Sequence, residues 1–198
     1  MGKLKNMPGG AHKPTPLALE ICILAGGLSR RMGRDKAQLP IGGGTLLSTI
    51  RASAKATGLP VRVIRRDHVP RCGPLGGIYT ALKTTRADVI LFLPCDTPFV
   101  STELLQFLLD KMSSGRLSRP PSDGVFVAQK DTVGFPFLLR RAALAGISEQ
   151  IKRRDFSLQA LARLLRAKKV HLSSRWSGQL RNLNTPEDWA RACKSSSA

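Results

Sequence analysis

The sequence predicts an α/β sandwich. Two short continuous apolar runs, Ile21 to Ala25 and Val89 to Leu93, each stop at loop-forming residues, Gly26-Gly27 and Pro94-Cys95-Asp96. Runs of this kind are strands buried on both faces of a parallel sheet. Helical patterns lie between and after them, and alternation of strands with helices is the order that builds layered α/β domains.

Each element has a local reason. Residues 1 to 18 are rich in Gly, Pro and Lys without apolar periodicity and residues 194 to 198 read KSSSA, so both are expected to be tails around a single domain over 19–193. After the first strand, the Ala-rich stretch Leu46 to Thr57 ends at Gly58-Leu59-Pro60, a helix with its stop signal. A second helix is expected to begin within Gly76 to Leu82. Beyond the second strand, Ser101 is an N-cap, and Leu104, Leu105, Leu108, Leu109 and Met112 recur at helical spacing. Gly124 to Ala128 reads as a strand. A helix follows Ser157 with Leu158, Leu161, Leu164 and Leu165 on one stripe. The last helix starts at Thr185-Pro186-Glu187-Asp188, a cap residue, a proline at the first helical position and acids in the first turn.

Composition narrows the class. The chain has 198 residues, 42% of them hydrophobic, enough for one core. Its 32 Lys and Arg against 13 Asp and Glu leave a net charge of +19, which favours polyanionic partners. No run approaches the roughly 20 apolar residues that cross a bilayer. The N-terminus lacks the apolar segment of a secretion signal. A cytoplasmic protein without a membrane partner is expected. Cys22, Cys72, Cys95 and Cys193 include no C-x-x-C pair, so reduced structural thiols are expected.

Four segments carry candidate chemistry. Leu24-Ala25-Gly26-Gly27-Leu28-Ser29-Arg30-Arg31-Met32-Gly33-Arg34-Asp35-Lys36 joins a strand end to paired glycines and a basic cluster. Glycines let backbone N–H groups approach an anion, and the cations suit a triphosphate. A plain turn followed by a solvated basic run has the same spacing. Asp96 stands at the end of the second buried strand, the edge where open α/β sheets bind ligands, and a carboxylate there can hold Mg²⁺ against phosphate oxygens. Asp-Thr-Pro is also ordinary turn chemistry. Gly73-Pro74-Leu75-Gly76-Gly77 is a rigid turn whose glycines also let a flat ligand lie on the backbone. Asn182 and Asn184, in an extended segment, point their amides to one face, where they can read a polar heterocycle or simply form a turn.

Taken in order, these segments resemble the MobA family of molybdenum cofactor guanylyltransferases. The matches are Leu24-Ala-Gly-Gly-x-Ser-x-Arg31-Met-Gly-x-Asp-Lys36, Gly73-Pro-Leu-Gly76, Cys95-Asp-Thr-Pro98 and Asn182-x-Asn184-Thr-Pro-Glu187, spread over residues 21 to 190. The resemblance implies a Rossmann-like three-layer sandwich with a mostly parallel central sheet and helices on both faces, as in nucleotide-diphospho-sugar transferases. It also implies transfer of GMP from GTP to the molybdenum-molybdopterin cofactor with Mg²⁺ as cofactor. By the same resemblance Leu24, Ala25, Gly26, Gly27 and Gly76 cradle the nucleotide, Arg31 and Lys36 hold its phosphates, and Asp96 ligates the metal. Asn182 and Asn184 hold the pterin, and acceptor molybdoenzymes or their chaperones are the implied recipients of the product.

Two departures shape the alternatives. Gly58 to Cys72 is too short for both the extra strand and the crossover that the family places there, and Arg65, Arg66 and Asp67 do not align with that segment. Phe135-Pro136 stands where the family often has His-Pro. A nucleotidyltransferase of other base specificity and a catalytically impaired nucleotide-binding relative are therefore the competing readings. A nucleic-acid binder ranks below them. Lys152 to Arg181 holds nine Lys and Arg against one acid, Asp155, but the chain lacks aromatic-basic interleaving for stacking on bases.

Overall fold

The architecture follows from how each strand divides its side chains between two helical layers. The computed structural model describes residues 17–26, 35–114 and 122–195. Strand β1 (Leu19–Leu24) sends Ile21 and Ile23 to one core cluster and Cys22 to another. It is followed by a short hairpin of β2 (Pro40–Ile41) and β3 (Gly44–Thr45), then helix α1 (Leu46–Lys55) and strand β4 (Val61–Ile64). Helix α2 (Pro74–Thr84), strand β5 (Val89–Pro94) and helix α3 (Thr102–Ser114) come next. The second half holds β6 (Gly124–Gln129), β7 (Thr132–Arg140), α4 (Leu144–Lys152), α5 (Leu158–Leu164), β8 (Lys168–His171), α6 (Ser174–Ser177) and α7 (Pro186–Ser195).

The main sheet has the order β4-β1-β5-β7-β6-β8. The β4–β1, β1–β5 and β6–β8 pairs are parallel, and only β7 runs against its neighbours. Helices α1 and α3 cover one face with Leu47, Ile50, Leu104, Leu105 and Leu108. Helices α2, α4 and α5 cover the other with Leu75, Ile78, Leu82, Ile147 and Leu161. The strands are near-continuous apolar runs because both faces are dry. A third cluster seats α7 on the small hairpin through Leu39, Ile41, Leu46, Leu183 and Ala192.

Local signals set the element ends. Gly42 and Gly43, with φ of 51° and 80°, make the tight turn between β2 and β3. Thr45 and Ser48 then form a reciprocal capping box at the start of α1. Ser101 accepts from the Leu104 N–H, Ser157 from Ala160 and Thr185 from Asp188, as the cap assignments require.

Some expectations change. The Gly58–Cys72 segment spends its length on β4 and then a loop that leads straight into α2. The leucine stripe after Ser157 is broken, because Leu164 is 54% exposed while Leu161 is buried. Helix α5 ends at Leu164, which packs on Gly146 of α4 so closely that a Cβ there would stand 3.3 Å from Leu164 Cδ2. Helix α7 reaches Ser195, and the Ala18 N–H donates to Asp88 Oδ2 while its carbonyl accepts from the Asp88 N–H, which ties the start of β1 to the residue before β5.

Candidate functional site

The parallel strands bring the ends of β1, β4, β5 and β6 to one edge of the sheet, the edge at which side chains from distant segments meet in this class of fold. Strand β1 passes directly into Ala25, whose N–H donates to the Ile64 carbonyl at the end of β4 (2.8 Å). The Cys95 N–H donates to the Leu24 carbonyl (3.1 Å), which places Asp96, two residues beyond β5, beside the β1 turn.

Lys36 is the meeting point. Its Nζ lies 3.1 Å from Asp96 Oδ2 and 2.8 Å from Asn184 Oδ1, joining residues 60 and 148 positions apart. Both members of the ion pair are mostly buried, with 17% and 20% of their side chains exposed. Local structure fixes each partner. Asp35 caps the 3-10 turn Lys36–Gln38 by accepting from the Ala37 N–H. Thr97 closes the turn after β5 by donating to the Pro94 carbonyl (3.2 Å), so the Asp96 carboxylate is directed to Lys36 rather than spent on the turn. The Leu183 N–H donates to the Asp96 carbonyl (2.9 Å), and Asp188 accepts from the Asn184 and Thr185 N–H groups. Backbone and cap needs are thus met without the amide of Asn184. Burial and then the Asp96 charge push the thiol of neighbouring Cys95 up to about 11.

The glycines have steric reasons. A Cβ on Gly26 would stand 3.0 Å from the Arg65 carbonyl oxygen, and one on Gly76 would stand 2.6 Å from the Val69 carbonyl and 2.7 Å from Asp67 Oδ2. Gly76→Ala must therefore push the backbone of the loop before α2, and a loss of about 2 kcal/mol is expected in urea unfolding. Wild-type stability in that variant would show that the loop yields freely.

Asp67 is a site candidate that sequence reasoning passed over. Its carboxylate sits where the β1 turn meets the start of α2, with Oδ1 at 3.6 Å and 3.3 Å from Cβ positions built on Gly26 and Gly77. Burial pushes its pKa up. An acid raised by burial is disfavoured in the fold when ionised. Its cost is absent below the unfolded pKa, grows as pH rises through that value, and is complete above the folded pKa. Asp67→Asn is therefore expected to raise the Tm of the nucleotide-free protein at pH 7, with the gain vanishing near about pH 3. A lower Tm at pH 7 would contradict this assignment. Only proximity to the two glycine segments could have flagged Asp67, and proximity is not visible in the chain order.

Asn182 and Asn184 are exposed on either side of buried Leu183, so their amides share a face as expected. They serve different places. Asn184 holds Lys36, while Asn182 lines an open cleft with Val127, Gln129, Thr132, Phe135 and Leu180. Leu24, Ala25, Gly26, Lys36, Gly76, Asp96, Asn182 and Asn184 all lie along this edge. Gly27 and Arg31 lie outside the described residues. Among the described residues no three His, Cys, Asp or Glu side chains cluster as a metal site, and no helix is long and apolar enough to cross a membrane. The basic residues of 152–181 do not form one face. They divide over the two ends of the antiparallel α4–α5 pair, the edge strand β8, and α6, where Arg175 stacks on Trp176.

Comparison with known proteins gives the family and the fold. A family model described as the MobA-like NTP transferase domain matches residues 21–65 and 48–172. The chain is 32% identical over 188 residues to a molybdenum cofactor guanylyltransferase of Xanthomonas euvesicatoria pv. vesicatoria, covering 85% of this chain and 91% of that one. It is 30% identical over 168 residues to a protein of the same name from Acinetobacter baumannii (strain ACICU), covering 75% and 78% of the two chains. The fold is that of molybdopterin-guanine dinucleotide biosynthesis protein A from Archaeoglobus fulgidus, with a TM-score of 0.73 at 18% identity over 90% of this chain and 98% of that one.

Proposed function

The chain belongs to the MobA-like NTP transferase family, and from that premise we propose that it transfers GMP from GTP to the molybdenum-loaded molybdopterin cofactor in the cytoplasm. The observation that carries this reading is the convergence on Lys36 of Asp96 and Asn184, which unites three of the four motif segments at one sheet edge. A terminal phosphate oxygen of the pterin forms the new bond to the α-phosphorus of GTP. The bond from that phosphorus to the β-phosphate oxygen breaks, and pyrophosphate leaves with the electron pair. The attacking phosphate is already ionised near neutral pH, so no general base is required.

The difficulty is the approach of two anions, and the protein answers it with position and charge. Lys36 offers an ammonium held in place from two sides. The glycines at 26 and 76 let the nucleotide lie close to the backbone, and Arg31, from the motif, adds a second cation. The donor set fits Mg²⁺, which commonly takes one or two carboxylates with substrate phosphates and water. Asp96 would hold it, and the bound ion would neutralise phosphate charge. Asp67 presents an acceptor-only carboxylate that suits the adjacent N–H donors on the Watson–Crick edge of guanine.

The test is a thermal-shift panel of GTP, ATP, CTP and UTP with and without Mg²⁺, followed by an assay of pyrophosphate release with molybdopterin. Saturation at 100 times Kd adds roughly 2.7 kcal/mol, a rise of about 5 to 10 °C for a domain of this size. A Mg²⁺-dependent shift with GTP alone, and pyrophosphate only when the pterin is present, is the expected result. Equal shifts for several nucleotides would withdraw guanine, and no shift with any would withdraw the transferase.

A further inference from the structure

One feature of the site edge has no part in the phosphate chemistry, an aromatic ring that stands beside a bulge at the rim of the cleft. Phe126 pairs with Phe137 across the β6–β7 ladder, but the next residue, Val127, pairs with Gly134. Phe135 and Pro136 are the surplus residues, and a bulge is the usual device for re-aiming a side chain beside a site. It also suits Pro136, which has no N–H to give to a ladder. Phe135 is half-buried and lines the cleft that Asn182 enters. Phe137 lies behind it at 4.7 Å between ring centroids, and Phe126 stacks on Phe137 at 4.5 Å. The ring is backed by a packed aromatic column and forms a fixed wall, unlike a surface side chain free to fold away.

The remaining lining fits an edge-on polar ligand. Gln129 and Asn182 bring amides that both donate and accept, and Thr132, whose hydroxyl donates to the Gln129 carbonyl (3.0 Å), brings an acceptor oxygen, over the apolar floor of Val127 and Leu180. The cleft is also at the right distance from the charge centre. Exposed Asn182, buried Leu183 and exposed Asn184 alternate as an extended segment does, and two residues of such a segment span about 7 Å. One molecule can therefore lie along 182–184 with a flat ring on Phe135 and its phosphate at Lys36.

We propose that Phe135 is the stacking wall for the heterocycle of the acceptor, with Gln129, Thr132 and Asn182 reading the edge of that ring. This assignment rests on the guanylyl transfer reading and adds to it the group that selects a flat, amide-bearing acceptor. Binding is measured by calorimetry with metal-free molybdopterin phosphate, and separately with GTP and Mg²⁺, on the wild type, Phe135→Leu and Phe135→Tyr. Leucine keeps apolar bulk and removes the π face, whereas tyrosine keeps the face. Phe135→Leu is expected to weaken the pterin about tenfold and leave GTP within about twofold, while Phe135→Tyr binds the pterin within about threefold of wild type. Retained GTP binding certifies that each variant is folded. Wild-type pterin affinity in Phe135→Leu, equal losses for pterin and GTP, or a tyrosine variant as weak as the leucine one overturns the stacking role while guanylyl transfer stands. A wild type that binds GTP and not the pterin overturns both the acceptor assignment and the role of Phe135.

Discussion

Turnover of the Lys36→Ala variant is expected to fall by about a thousandfold. The ammonium stands between Asp96 Oδ2 at 3.1 Å and Asn184 Oδ1 at 2.8 Å, so no rearrangement is needed to present it to incoming phosphates. Preorganised charge of this kind contributes mainly in the transition state, where two phosphates crowd together and negative charge moves onto the leaving pyrophosphate. Removal also takes away one of the positive charges that offset Asp96 beside the substrate, which adds to the loss. Lys36→Arg restores the charge but not the shape, because a planar fork cannot occupy the point between a carboxylate and an amide that an ammonium fills. It is expected to recover only part of the loss. Steady-state kinetics of pyrophosphate release decide the matter, and a loss under about tenfold in Lys36→Ala would show that the charge is supplied elsewhere.

Asp96→Asn is the second large effect. The change is isosteric, and Leu183 continues to bond the backbone carbonyl of this residue, so the fold and the Asn182–Asn184 segment are kept. What is lost is one negative charge at the end of β5, where a hard cation would be held. Turnover is expected to drop at least about a thousandfold, and the Mg²⁺-dependent part of the GTP thermal shift is expected to disappear. Titration of Mg²⁺ at fixed GTP separates this role from simple positioning of Lys36, because a positioning defect lowers the rate without moving the metal dependence. Unchanged turnover in Asp96→Asn would sink the metal assignment outright.

The two variants depend on residues that the chain itself makes conspicuous. The apolar runs ending at Gly26-Gly27 and at Pro94-Cys95-Asp96 identified β1 and β5, since a strand dry on both faces has nowhere to place polar residues. Caps at Ser101, Ser157 and Thr185 identified three helix starts because the cap is a local hydrogen bond. The missed elements lack such local marks. β7 contains Pro136 and is a central strand only because a bulge excuses the missing N–H. β8 reads Lys168-Lys169-Val170-His171, a polar edge with one buried residue, indistinguishable in sequence from a solvated basic run. Leu164 repeats at helical spacing yet is 54% exposed, because it is the last residue of α5 and touches α4 at Gly146, a placement set by packing and not by spacing.

The order of the motif segments by itself determined the fold class, the family and most of the residues gathered at the sheet edge. Order and spacing act through local rules, the period of a strand, the needs of a helix end and the freedom of a glycine, and these are written in neighbouring residues. Tertiary structure alone decided that Lys36, Asp96 and Asn184 share contacts, that Asp67 stands between two glycine segments, and that Phe135 faces the cleft of Asn182. Each depends on parallel strands bringing remote chain segments to one edge, or on two extra residues in one ladder. Such placements are set by packing over the whole domain, so no window of sequence contains them.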